Sequence, residues 1–292
     1  MEFAIDIQQQ QYKTYILTDH HAQSRVEVVP ERGGIVTRWQ LQDQEIFYLD
    51  TERFTNPNLS VRGGIPILFP ICGNLPDDTY TIHEKEYKLK QHGFARELPW
   101  QVIDQQTQES ASITLLLESN DQTKQVYPFD FKVTFTYQLK GNTLEIRQSY
   151  TNNSSESMPF STGLHPYFAV TDTEKNQLEF QIPSTQYQEK QNPTIQNFSG
   201  SFDFESDEID VAFRDLTDVS ASVTDKSRNL HLHLSYDNSY SRIVFWAVKG
   251  KDFYCLEPWS APRNAMNTGE HLIILEPGAS IETVVALTVT FS

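Results

Sequence analysis

A chain of 292 residues with 38% hydrophobic residues, 18 Phe, 13 Tyr and 4 Trp can bury a large core, which excludes a disordered chain. Its formal net charge of −16 repels phosphate backbones and anionic lipid, so nucleic acid and membrane are not expected partners. The two cysteines, Cys72 and Cys255, are too few for a disulfide scaffold and lack zinc-binding spacing.

The N-terminal stretch is polar and acidic, with no basic segment leading into an apolar run. No apolar run approaches the roughly 18 residues of a membrane span. A cytoplasmic protein with free thiols is expected.

Along the chain, strand signals dominate. Pro30-Glu-Arg-Gly-Gly34 and Leu75-Pro-Asp-Asp78 read as turns. Ser112–Leu117 reads as a strand. From Phe131 to Leu139 every odd residue is apolar and every even one polar, the period of a strand with one buried face. Lys140–Thr143 is a turn, and Leu144–Tyr150 alternates again, which makes a hairpin. Residues 171–205 are polar and weakly patterned, yet hold no Gly/Ser linker. Leu230–Leu234 and Arg242–Val248 read as strands. After a turn at Glu276–Ala279, Val285, Leu287, Val289 and Phe291 fall on one side of a last strand. Helical periodicity is thin. Many short strands with this punctuation predict an all-β sandwich or barrel-like fold, as one domain over residues 1–292.

Four segments break the alternation: Val61–Asn74, Gln91–Trp100, Thr162–Phe168 and Cys255–Pro262. Each joins ionisable residues to Gly, Pro and aromatics. Glycine lets backbone approach a ligand, proline fixes it, and aromatic faces suit the apolar face of a sugar. His92 and His165 read equally as satisfied core histidines or functional groups. Arg62 and Arg96 read equally as site residues or ordinary ion-pair arginines. Glu257 stands in an inward-facing segment, where a carboxylate is costly without a partner or a task. The remaining histidines read as ordinary; His231 and His233 share a face, but no other ligands cluster with them in sequence.

Taken in order, RGGIPILFPICG, QHGFAR, TGLHPYF and CLEPWSAP resemble the aldose 1-epimerase (galactose mutarotase-like) family, including its hexose-6-phosphate mutarotases. VVPERGGIVTRWQL and the late LEPGAS turn extend the likeness over most of the chain. The resemblance implies a large antiparallel β-sandwich with an open sugar-binding cleft. It implies His165 as general acid and Glu257 as general base, with His92 and Asp210 contacting the sugar. Arg62 and Arg96 match arginines of the phosphate-sugar branch, whereas the CLEPW surround of Glu257 fits the free-sugar branches. The implied ligand is therefore a small sugar or a sugar phosphate.

Mutarotation removes the O1 proton and protonates the ring O5, which suits a carboxylate and an imidazolium placed on two sides of one ring. A neighbouring carboxylate is expected to raise the histidine pKa. No cofactor or metal is required. The competing reading is a non-catalytic sugar-binding or sugar-sensing protein on the same fold. A glycosidase, which uses two flanking carboxylates, fits less well because only one carboxylate is well placed.

Overall fold

The computed structural model describes residues 2–192 and 194–291. Three antiparallel sheets carry the architecture. The first, at the N-terminus, is a five-stranded meander from Phe3–Gln9 to Gln44–Glu45. The second has eight strands, with the long hairpin Phe131–Lys140/Thr143–Asn152 beside Ser280–Phe291 at its centre. The predicted alternation holds there. Phe131, Val133, Phe135, Tyr137 and Leu139 are all buried, and they meet the buried Leu144, Ile146 and Tyr150 of the partner strand.

The third sheet positions the site. It runs Ile195–Asn197, Gln186–Glu189, Glu208–Phe213, Arg242–Val248, Phe253–Trp259, Gly163–Leu164 and Ile67–Leu68, and Tyr167–Ala169 also pairs with Phe253–Trp259. Two of its strands show no polar/apolar alternation: every residue of Phe253–Trp259 is buried, and so are five of the seven in Arg242–Val248. The reason is that both faces are covered. Phe213, Ile243, Phe245, Tyr254 and Leu256 go into the main core, while the opposite face lines a cleft.

Helix is confined among the described residues to short pieces, with α-helices at Thr51–Thr55, Asp121–Val126 and Ala265–Thr268. No helix is long and apolar enough to cross a membrane. The weakly patterned 171–205 stretch supplies three short strands, Leu178–Gln181, Gln186–Glu189 and Ile195–Asn197. Leu178–Gln181 and Ile195–Asn197 are edge strands, and of their residues only Leu178 and Phe180 are buried.

Candidate active site

Register builds the site. Gly163 pairs with Trp259, and Tyr167 pairs with Cys255. Between these pairs His165 falls opposite Glu257, although His165 itself lies in the break between two short strands. Side chains directly opposite on antiparallel strands share a face, so the row continues outward. Val244 lies beside Glu257, and Ala212 beside Val244. The next row holds Asp210, Trp246, Cys255 and Tyr167. Small side chains in the Ala212–Val244 row leave a cleft of about 280 Å³ over the dyad.

Glycines set the walls. Gly93 has φ +69°, and a Cβ there would meet the Phe69 carbonyl oxygen at 2.3 Å. That contact seats the Gln91–Arg96 turn against the sheet, with His92 and Arg96 facing the cleft. At Gly163 a Cβ would press on the Trp259 indole at 3.0 Å.

His165 Nε2 lies 3.3 Å from Glu257 Oε1. The other carboxyl oxygen, Oε2, accepts a hydrogen bond from Trp259 Nε1 at 3.0 Å. The His165 ring stacks on Tyr167 with centroids 4.7 Å apart, and meets His92 and Trp246 edge-on. His92 accepts from the Gly73 N–H at Nδ1, 3.1 Å away. Its proton therefore sits on Nε2, 3.2 Å from the Gln91 side-chain amide nitrogen.

Two sequence-based expectations need correction. His165 and Glu257 do not stand apart with a ring's width between them; they touch. Since O1 and O5 are both bonded to C1, adjacent groups can reach both. Nor does the carboxylate raise the histidine. Burial, with Arg96 adding to it, pushes the His165 imidazole down to about 3. Burial, reinforced by the Asp210 charge, lifts the Glu257 carboxyl well above the usual carboxylate range. Both shifts favour an uncharged pair: a protonated carboxyl beside a neutral imidazole.

All six residues named from the sequence, Arg62, His92, Arg96, His165, Asp210 and Glu257, line this one cleft. Asp210 is tied down: Arg263 donates to Oδ1 at 2.7 Å, and Lys190 Nζ lies 3.4 Å from Oδ2. Arg263 also covers the Trp259 ring. On another side Arg53, Arg62 and Arg96 gather. Arg53 and Arg96 each donate to one backbone carbonyl, of Ser60 and Gln91, and Arg62 lies over the Trp246 ring. Arg96 Nε is buried without a hydrogen-bond partner.

Sequence reading did not single out Arg53, Lys190, Trp246 or Arg263, which line the same cleft. Arg263 follows the CLEPWSAP segment directly and could have been taken with it. Lys190 and Arg53 sit in polar surroundings where nothing sets them apart.

The aldose 1-epimerase family model matches residues 15–288. The chain belongs to the aldose 1-epimerase family. Among relatives of this family, protein LacX of Lactococcus lactis is 28% identical over 251 residues, 77% of this chain and 82% of its own. The uncharacterized protein YihR of Escherichia coli is 27% identical, covering 68% and 67%. A putative glucose-6-phosphate 1-epimerase of Cenchrus ciliaris is 27% identical over half of this chain and 44% of its own. Among solved structures, the Slr1438 protein of Synechocystis superposes with a TM-score of 0.93 at 46% identity, covering 96% of each chain. A galactose mutarotase-like protein of Clostridium acetobutylicum shares the fold at 20% identity and a TM-score of 0.84, covering 100% of this chain and 99% of its own.

Proposed function

We propose that this protein is a mutarotase, interconverting the α and β anomers of an aldohexose, with hexoses bearing an anionic group such as a 6-phosphate preferred. The observation that carries this reading is the His165–Glu257 contact of 3.3 Å on the floor of a cleft. A binding protein has no need of an acid–base pair there.

The pair holds one transferable proton whether it is an acid beside an imidazole or a carboxylate beside an imidazolium. The two forms differ only by proton transfer across the hydrogen bond, and in the second Glu257 takes the O1 proton while His165 gives its own to O5. The C1–O5 bond breaks and C1–O1 becomes a carbonyl. Rotation about C1–C2 presents the other carbonyl face, and the pair then works in reverse. Positioned acid–base groups of this kind contribute about 10²–10⁴ in rate. His92 Nε2–H offers a donor to a sugar hydroxyl.

The preference for an anion rests on Arg53, Arg62 and Arg96. They form no ion pairs among the described residues, in a chain whose net charge is −16. Guanidinium groups bind phosphate through paired hydrogen bonds.

The test is saturation-transfer NMR of anomer exchange on glucose, galactose and glucose 6-phosphate. His165→Ala and Glu257→Gln are each expected to lower exchange by at least about a hundredfold while the fold survives. Full activity of Glu257→Gln would sink the assignment. Tight sugar binding with no exchange above background would mark a sugar-binding protein instead.

A further inference from the structure

In the row next to the proposed dyad lies a third group that the proposed mutarotation does not use. Cys255 precedes Glu257 by two residues on one strand, so both side chains point to the same face. An imidazole nitrogen of His165, the Cys255 sulfur and a Glu257 carboxylate oxygen all lie within 4.8 Å of one another. All three residues are buried, and Nδ1 of His165 makes no hydrogen bond.

We infer that His165, Cys255 and Glu257 form a binding site for zinc or a similar thiophilic divalent ion, and that the ion blocks the dyad. The donor set decides the metal class. Thiolate and imidazole select zinc and its softer neighbours over magnesium or calcium, and a carboxylate completes a common three-ligand zinc set. The geometry is close to what zinc requires. Bond lengths of about 2.0–2.3 Å put tetrahedral ligand atoms roughly 3.3–3.7 Å apart. The His165–Glu257 gap of 3.3 Å already matches. The Cys255 sulfur lies within 4.8 Å of both donor atoms, and a bound ion would draw it closer. His165 and Glu257 line the cleft, so water would reach a fourth position from that side. Two anionic ligands would balance the ion's charge, so the filled site is neutral, as burial demands.

Occupancy removes both proton-transfer groups at once. The ion is therefore an inhibitor that competes with sugar, not a cofactor. Sensitivity of exchange to zinc rests on the mutarotase reading; metal binding itself does not, and it has its own readout.

The experiment titrates the intact protein with zinc chloride and, separately, with cobalt(II) chloride. Zinc is expected to inhibit anomer exchange near stoichiometric concentration, with recovery on adding EDTA. Cobalt is expected to give a near-ultraviolet thiolate-to-metal charge-transfer band. Cys255→Ala should keep its exchange activity, lose the cobalt band and need at least about tenfold more zinc for half inhibition. Cys72→Ala should behave as the unmodified protein. With two cysteines in the chain, a cobalt–thiolate band in Cys72→Ala must arise from Cys255, which keeps the test decisive even if Cys255→Ala fails to fold. The inference is overturned if the unmodified protein shows no charge-transfer band. Equal zinc sensitivity of Cys255→Ala and the unmodified protein also overturns it. A cobalt band without any measurable anomer exchange would uphold the metal site and count against the mutarotase reading alone.

Discussion

Trp259 Nε1 donates to Glu257 Oε2 at 3.0 Å, from two residues further along the same strand. The indole holds one carboxyl oxygen and so aims the other at His165. On the proposed mechanism Trp259 is a positioning residue. Trp259→Phe keeps the ring but removes the donor. A hydrogen bond to a charged group is worth about 1.5–3 kcal/mol, so kcat is expected to fall roughly tenfold to a hundredfold. The lost bond stabilised the carboxylate form, so the alkaline limb of the pH profile should move upward. A fall in kcat with an unmoved profile would mean the ring merely packs.

The pH profile of the unmodified protein is a second test. On the proposed mechanism the pair works while it holds one proton between its members. Burial and Arg96 depress His165 to about 3, so the second proton goes on only in strong acid. Burial and Asp210 raise Glu257, so the working proton is lost only well above the usual carboxylate range. Exchange of a free hexose should therefore show no acid limb down to about pH 5, where an ordinary histidine, near 6.5, would already have titrated. An acid limb centred near that ordinary value would show that His165 is not depressed. Such limbs belong to the pair rather than to either residue alone.

Stability should respond to Glu257 in a defined direction. Its folded pKa lies above its unfolded one. Its contribution is therefore fully present below the unfolded value and is lost as pH rises through the folded value. Glu257→Gln has no such proton to lose. Relative to the unmodified protein, it should gain in melting temperature as pH rises from about 4 to about 8. Calorimetry at these two values decides the matter, and a constant difference would mean the carboxyl is not raised.

The arginine cluster makes the substrate preference measurable. Arg96→Ala removes a guanidinium whose Nε is buried and unpartnered. Its kcat/KM for glucose 6-phosphate should fall at least about tenfold further than its value for glucose. Equal losses on both sugars would make Arg96 structural.

The fold was legible wherever one face of a strand meets solvent, because alternation then writes burial into the sequence. Phe131–Leu139 and Thr283–Phe291 are of that kind. It was not legible in Phe253–Trp259, since a strand covered on both faces has no period to read. His165 and Glu257 were legible as two residues out of place. Their direct contact was not, because it depends on pairing between strands about ninety residues apart. Likewise, nothing in the sequence distinguishes Lys190, whose role beside Asp210 is set by the neighbouring strand. The expected pKa of His165 failed for a related reason. A nearby carboxylate was foreseen, but not the burial of both groups nor the charge of Arg96.

The pairing of Gly163 with Trp259 and of Tyr167 with Cys255 has an evolutionary consequence. A slip of one residue in Phe253–Trp259 would turn Glu257 inward and bring Leu256 or Pro258 to the cleft, while moving charge into the core. Chemistry and folding thus share one specification here. Substitutions can separate them, but insertions and deletions in this strand cannot. Variation in chain length among relatives should therefore collect at the exposed edge near Ile195–Asn197, far from the strands that carry the dyad.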